Sequence, residues 1–170
     1  MKYRFKGLDK YVKQLENLSN SYNATVCVEN AITYGSRIVR EYTDKELKAM
    51  KPDDSPRKEG KRSGLRTIQK NFLIKEFGVS PIDDKRTKVN RKTGVDKGRF
   101  NYPDSNVYIP AVTLARMVEY GASYIEKNPV FSRASRKARK ACFEAMQRSL
   151  TDDINFLTVH DNNRLKRREL

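Results

Sequence analysis

The sequence predicts an α+β protein in which a small antiparallel sheet with long loops packs against two N-terminal helices and a C-terminal helix. Apolar residues recur three or four positions apart at both ends of the chain, which is helical spacing. Short apolar runs bounded by glycine and proline lie between them, which is typical of strands. The 170 residues suit a single domain. We predict that domain over residues 1–158 and a basic, flexible tail over residues 159–170.

Two helices are predicted in the first quarter of the chain. The first carries an apolar stripe, and the pattern breaks at residues 19–21; the stripe comprises Leu8, Tyr11, Val12, Leu15 and Leu18. The second runs from about Ala24 to Tyr42 and includes Gly35 on its apolar face. Glycine destabilises a helix interior by up to ~1 kcal/mol. We therefore expect Gly35 to permit close approach of another element.

The middle of the chain alternates loops with short apolar segments. Lys51–Gly64 contains only charge, proline, glycine and other polar residues, which predicts a loop. A helical turn at Leu65–Ile68 and a strand over Phe72–Val79, broken near Gly78, are expected to follow. Asp83–Tyr102 is a second loop, with a hairpin tip between Val89 and Val95. The basic residues of the two loops include Arg57, Lys58, Lys61, Arg62, Arg86, Lys88, Arg91 and Lys92.

The last third predicts a strand, a short helix and a long helix. The strand covers Asn106–Ile109, and Pro110 precedes the short helix Ala111–Glu119, because proline favours a helix start. The long helix begins near Pro129. Its predicted apolar stripe comprises Phe131, Ala134, Ala138, Cys142, Ala145 and Ser149, and its opposite face carries Arg133, Arg136, Lys137, Arg139 and Lys140.

The net charge of +15 favours anionic partners. Nucleic acid is one such partner, and an acidic protein surface is another. A solvated charged face would give the same composition. Charge alone leaves these alternatives open.

The residues of familiar catalytic and metal sites do not converge in this sequence. Cys27 and Cys142 fit no metal spacing and are expected to be buried thiols. Adjacent aspartates occur at 53–54, 83–84 and 152–153, and such pairs are more often turn and capping residues than metal ligands. We therefore expect no enzyme, cofactor or metal. No run is long enough to span a bilayer, and no signal peptide is evident, so an intracellular protein is expected.

The stretch from Arg116 to Phe131, RMVEYGASYIEKNPVF, predicts a rigid corner between two helices. Gly121 follows a helix end, where glycine permits positive φ or close backbone approach. Pro129 then starts the last helix. Glu119 is expected to cap a helix, to pair with an arginine of a neighbouring subunit, or simply to be exposed.

The motif VEYGAS…NPVFSRA resembles the vEfGT…P-f-f-r-pA pattern of the gene-product-ten-like tail-component family of phage HK ninety-seven. These are head–tail joining and tail-completion proteins of bacteriophages. Glu119, Tyr120, Gly121, Pro129, Phe131 and Arg133 are among the matching positions, whereas Ala122 replaces the usual threonine. FKGLDKYVKQLENL and KRSGLRTI resemble two further blocks of the family, in the same order.

The resemblance implies a virion protein, made in the host bacterial cytoplasm and located at the neck or tail. It implies a homo-oligomer, such as a hexameric ring, that contacts the tail tube protein and the neck proteins. Passing contact with DNA in the channel is expected, and contact with a membrane is not. The matched residues would form its assembly motif. Both basic loops are expected to be mobile in the free protein and to order, or form strands, only between subunits or against a neighbouring ring. The alternative function is a basic nucleic-acid-binding protein.

Overall fold

The computed structural model describes residues 21–55, 61–80, 93–95, 98–101 and 108–159. Four helices and four short strands occur in this part of the chain, which confirms the predicted α+β class. In chain order they are α1 (Ser21–Ala49), α2 (Thr67–Glu76), β1 (Phe77–Val79), β2 (Thr93–Val95), β3 (Arg99–Asn101), β4 (Tyr108–Pro110), α3 (Ala111–Tyr120) and α4 (Val130–Val159).

Helix α1 is longer than the sequence pattern predicted. It is already helical at Ser21 and continues past Tyr42 to Ala49. The extension forms because Leu47 continues the buried face that Val39 and Thr43 establish at four-residue spacing. The helix predicted over residues 8–18 and most of the break after it lie outside the described residues.

The predicted strand from Phe72 is wrong over most of its length, because Thr67–Glu76 is helix α2. Gln69 and Leu73 are both buried, and their four-residue spacing puts them on one face of this helix. A short apolar run is ambiguous between helix and strand. Only Phe77–Val79 is extended, and it contains Gly78 without a break.

The strands form two small sheets, β1 with β2 and β3 with β4. Strands β3 and β4 are antiparallel, with Phe100 opposite Ile109. The predicted hairpin tip is wrong at Thr93 and Gly94, which belong to β2. The pairing of β3 with β4 occurs within one chain, so strand formation at Arg99–Asn101 does not require a second subunit.

Strand β4 is displaced from its predicted position, since it covers Tyr108–Pro110 rather than ending at Ile109. Pro110 also precedes α3, as predicted, and the backbone N–H of Ala111 donates to the carbonyl of Gly98 at 2.8 Å. The start of α3 is thereby tied to the segment that leads into β3.

Helix α4 begins directly after Pro129, as predicted, but its buried face is rotated from the predicted stripe. Phe131 and Ala145 are only half-buried. The buried positions are Val130, Ala134, Ala138, Cys142, Met146, Ser149, Leu150 and Asp153. The prediction began the stripe at Phe131, whereas Val130 is the fully buried residue.

The chain divides into two compact units. The first comprises Met1–Ile38, Val79–Lys92 and Arg139–Leu170, and the second comprises Val39–Gly78 and Thr93–Ala138. The single domain predicted over residues 1–158 stays a prediction, and the predicted tail lies outside the described residues apart from Val159. Within the part of the chain that the structure describes, no helix is long and apolar enough to cross a membrane.

In the first unit, small residues let the described parts of α1 and α4 pack closely. Cys27 and Cys142 are free and buried, as predicted. Burial raises the pKa of the Cys142 thiol to about 11, which keeps it protonated at neutral pH. Its Sγ donates to the backbone carbonyl of Gly35 at 3.4 Å. The close approach predicted at Gly35 is therefore confirmed.

Replacing Gly35 by valine should lower the unfolding temperature of the protein. A Cβ atom at this position would lie 2.7 Å from both Cγ and Sδ of Met146, so the added atoms overpack the contact. Thermal unfolding followed by circular dichroism measures the effect. Met146→Ala should restore part of the lost stability in the double variant, because it vacates the same space; strictly additive losses would contradict the proposed contact.

A buried polar pair lies in the same unit. Asn30 and Asp153 are each 1% exposed, and Nδ2 of Asn30 donates to Oδ2 of Asp153 at 2.9 Å. The sequence placed Asp152 and Asp153 among turn and capping residues, and that is wrong here because both lie inside α4. A buried carboxylate requires hydrogen-bond donors, and Asn30 supplies one of them.

The second unit has its own apolar core, built from the C-terminal end of α1, helices α2 and α3, and the start of α4. The core is completed by residues from the connecting segments. Its buried members are Leu47, Met50, Leu65, Leu73, Phe77, Leu114, Val118, Ile125 and Val130. This core surrounds the corner between α3 and α4, which the sequence motif predicted.

Candidate assembly corner

The corner begins where α3 ends, at Gly121. Its φ of 81° lies in the region that favours glycine, which confirms the positive φ predicted there. The Gly121 N–H donates to the carbonyl of Met117 at 2.9 Å and so caps the helix. A Cβ atom at Gly121 would also lie 3.2 Å from the backbone nitrogen of Lys127. Glycine is therefore favoured at position 121 for two reasons: the positive φ of the turn, and the close approach of the backbone at Lys127.

The chain after Gly121 folds back against the last turn of α3. The N–H of Ala122 donates to the carbonyl of Ile125 at 2.9 Å, and the N–H of Asn128 donates to the carbonyl of Val118 at 2.8 Å. Ile125 is buried in the core. These bonds fix the direction in which the chain enters α4.

Glu119 caps the N-terminus of α4 from the preceding helix. One carboxylate oxygen accepts from the backbone N–H of Phe131 at 2.9 Å. The other accepts from the N–H of Ser132 at 3.1 Å and from the Ser132 hydroxyl. The first N–H groups of a helix have no partner within the helix, and a carboxylate there also complements the helix dipole.

The capping interpretation of Glu119 is confirmed. The side chain is buried at 5% exposure, so the exposed alternative is wrong. Both carboxylate oxygens accept hydrogen bonds within the chain, and pairing with an arginine of a neighbouring subunit stays a prediction.

Arg133 holds the first turn of α4 to the end of α1. Its Nε lies 2.6 Å from a carboxylate oxygen of Glu46, and its Nη2 donates to Oδ1 of Asn128 at 2.9 Å. Lys137 reaches the other Glu46 oxygen at 2.5 Å. The hydrogen bonds from Lys137 and Arg133 lower the pKa of Glu46. Arg133 and Lys137 therefore share one carboxylate within the chain, which leaves the three side chains with a net charge of +1.

Phe131 packs against this core from its edge. The residue is half-buried, and its ring centroid lies 5.9 Å from that of Phe77. Pro129 precedes the helix, and its carbonyl accepts from the N–H of Arg133 at 3.0 Å. Both residues contribute to the inner side of the corner.

Tyr120 is the motif residue that faces solvent, at 70% exposure. Its neighbours Glu119 and Gly121 have their positions fixed by the hydrogen bonds of the corner. The corner therefore presents Tyr120 from a rigid backbone, and a residue presented in this way loses little conformational freedom when it binds a partner.

The predicted loop Lys51–Gly64 is described only at residues 51–55 and 61–64, where hydrogen bonds join its two ends; its predicted mobility stays a prediction. Asp53 accepts from Ser55 and from the backbone N–H of Ser63 at 3.0 Å, which joins the two ends. Its neighbour Asp54 accepts from the N–H of Thr67 at 2.8 Å and so caps α2. The turn and capping roles predicted for this aspartate pair are confirmed.

The basic residues of the predicted loops are placed only in part. Lys61 is exposed, whereas the backbone of Arg62 donates to the carbonyl of Tyr124 at 2.9 Å and accepts from the N–H of Glu126 at 2.8 Å. Arg62 thus anchors the corner rather than belonging to a free loop. The remaining predicted loop residues lie outside the described residues: Arg57, Lys58, Arg86, Lys88, Arg91 and Lys92.

Replacing Asp53 by asparagine should destabilise the protein at neutral pH and have a smaller effect in acid. Hydrogen bonds from Ser55 and then from Ser63 lower the pKa of Asp53 from 3.8 to about 2. The stabilisation is therefore present above pH 4 and is lost as the pH falls from about 4 to about 2. Thermal unfolding of the parent and the variant between pH 2 and 7 measures the difference, and a difference independent of pH would contradict it.

Sequence reasoning did not identify Thr67 as the partner of Asp54, and it missed Glu46 as the partner of Arg133. Neither contact has a local signal, because the partners lie 13 and 87 positions apart. Among the described residues, no three His, Cys, Asp or Glu side chains are grouped so that they could hold a metal ion.

No protein-family model matches the chain, and no curated protein or solved structure is significantly similar to it.

Proposed function

We propose that this chain is a structural virion protein of a long-tailed bacteriophage, which forms a ring at the neck or top of the tail tube. In this role it completes the tail and joins it to the head. It acts by assembly rather than by catalysis.

The observation that carries this proposal is the cap that Glu119 places on α4. The segments that resemble the tail-component motif, around Glu119–Gly121 and Pro129–Ala134, are the segments that build the corner. That these segments together form one continuous corner is compatible with a shared structural role and supports the proposal. The function itself is inferred from the resemblance of this motif to that of tail-completion proteins.

The exposure of Tyr120 supports an assembly role for the corner. Tyrosine is enriched in protein interfaces because it combines a large contact area with a polar group at its tip. Contacts that are weak individually gain strength when ring symmetry repeats them. We place the contact with a neighbouring subunit, the tail tube protein or a neck protein on this exposed side of the corner.

Deletion of the gene in a producing phage, followed by electron microscopy of the lysate, tests the proposal. We expect separate heads and tails, or tails of irregular length, and few infectious particles. Complementation with the parent gene should restore joined virions, whereas Tyr120→Ser should restore fewer. Normal joined virions that fail only in DNA replication or gene expression would overturn the proposal in favour of a nucleic-acid-binding protein.

A further inference from the structure

Two groups of cations on α4 differ in their partners. Arg133 and Lys137 share the carboxylate of Glu46. Arg139 and Arg148 are exposed and have no acidic partner among the described residues, and Lys140 lies 3.9 Å from Glu144 in a pair whose side chains are 90% and 56% exposed. An exposed pair at that distance contributes little. The second group therefore keeps its positive charge available.

An exposed aromatic residue lies among these free cations. Phe143 is 49% exposed, and it follows Lys140 by three positions and Arg139 by four. Residues at these spacings are neighbours on a helix surface. The buried face of this part of the helix is supplied by Cys142, Met146 and Ser149, so Phe143 is not needed for the core. Arg148 follows Phe143 by five positions and so lies on another side of the helix; we call Arg139, Lys140 and Phe143 the basic aromatic face.

We propose that the basic aromatic face binds single-stranded nucleic acid, with its cations on the phosphodiester backbone and Phe143 stacked against an unpaired base. Aromatic side chains among basic residues are the usual means of binding single strands without sequence preference. A duplex keeps its bases paired and stacked, and so offers Phe143 no free base face.

Single-stranded nucleic acid fits this face better than an acidic protein does. An acidic protein surface would pair with the cations. Its carboxylates would not provide an apolar surface for the half-exposed ring of Phe143. A nucleotide supplies an anion and a flat apolar surface together.

Fluorescence anisotropy of the purified full chain with a labelled 20-nucleotide oligothymidine tests the proposal. The double variant Arg139→Gln/Lys140→Gln should bind at least tenfold more weakly. It should also reduce the salt dependence, by about 1.4 in the slope of log affinity against log salt, since two phosphate contacts are lost. Lys48→Gln/Lys75→Gln is the matched control, because it removes the same charge from exposed positions elsewhere. An equal loss in both double variants would overturn the proposal.

Phe143→Ser tests the stacking contact separately. It should weaken binding to oligothymidine at least fivefold and leave binding to a 20-base-pair duplex unchanged, whereas Ile68→Ser, at another exposed apolar position, should change neither. Unaltered oligothymidine binding by Phe143→Ser would sink the idea, as would polyglutamate competing as strongly as unlabelled oligothymidine. These measurements require no virion, so their outcome is independent of the proposed assembly function.

Discussion

Replacing Glu119 by alanine should lower the free energy of unfolding by about 2–3 kcal/mol, which combines the loss of a helix cap with the loss of charge-assisted hydrogen bonds. The N–H groups of Phe131 and Ser132 would lose their acceptor at a part-buried position. The unfolding temperature should fall by about 4–12 °C. Thermal unfolding followed by circular dichroism measures this shift.

Two further variants separate the cap from a general charge effect. Glu126→Ala removes the same charge from an exposed position in the same corner and should change the unfolding temperature by little. Glu119→Gln keeps one acceptor oxygen and should fall between the parent and Glu119→Ala. If Glu126→Ala and Glu119→Ala were equally destabilising, the capping role would be refuted.

Replacing Leu73 by alanine should lower the free energy of unfolding by about 2–5 kcal/mol, the range for a buried leucine. Leu73 is fully buried on α2 among the core residues of the second unit. The substitution removes buried apolar surface and leaves a cavity that the surrounding core refills only in part. Urea denaturation of the parent and the variant gives the difference directly.

Ile68→Ala is the matched control for Leu73→Ala. Ile68 lies on the same helix but is 43% exposed, so its loss should cost within about 0.5 kcal/mol. The strand that the sequence predicted would place Phe72 and Ile74 on the inner face and Leu73 on the opposite face. A small effect at Leu73 would therefore favour the strand over the helix.

The features that the sequence predicted correctly depend on the backbone of single residues or on long periodic patterns. Gly35 and Gly121 behaved as expected because the special property of glycine is local. Helix α4 was predicted to begin at its observed start because proline favours the position before a long apolar repeat. In each case the residue that predicts the feature lies within a few positions of the turn, contact or helix start that it determines.

The features that sequence reasoning missed depend on partners far apart in the chain. Phe72 and Ile74 read as a strand, because a short apolar run does not reveal which neighbours will cover it. The clamp of Glu46 on Arg133 and Lys137 requires α1 and α4 to meet. The capping role of Glu119 was one of three alternatives, and the position of Phe131 and Ser132 in the folded chain was needed to select it.

The two remote caps have a consequence for the order in which the chain is synthesised. Asp54 precedes Thr67 by 13 residues, and Glu119 precedes Phe131 by 12. Translation at about 5–20 residues per second delivers each carboxylate roughly 0.6 to 3 s before the N–H group that it accepts. Neither cap waits for a residue farther toward the C-terminus. The capping carboxylates of α2 and α4 are therefore already present in the chain when the first turns of these helices are synthesised.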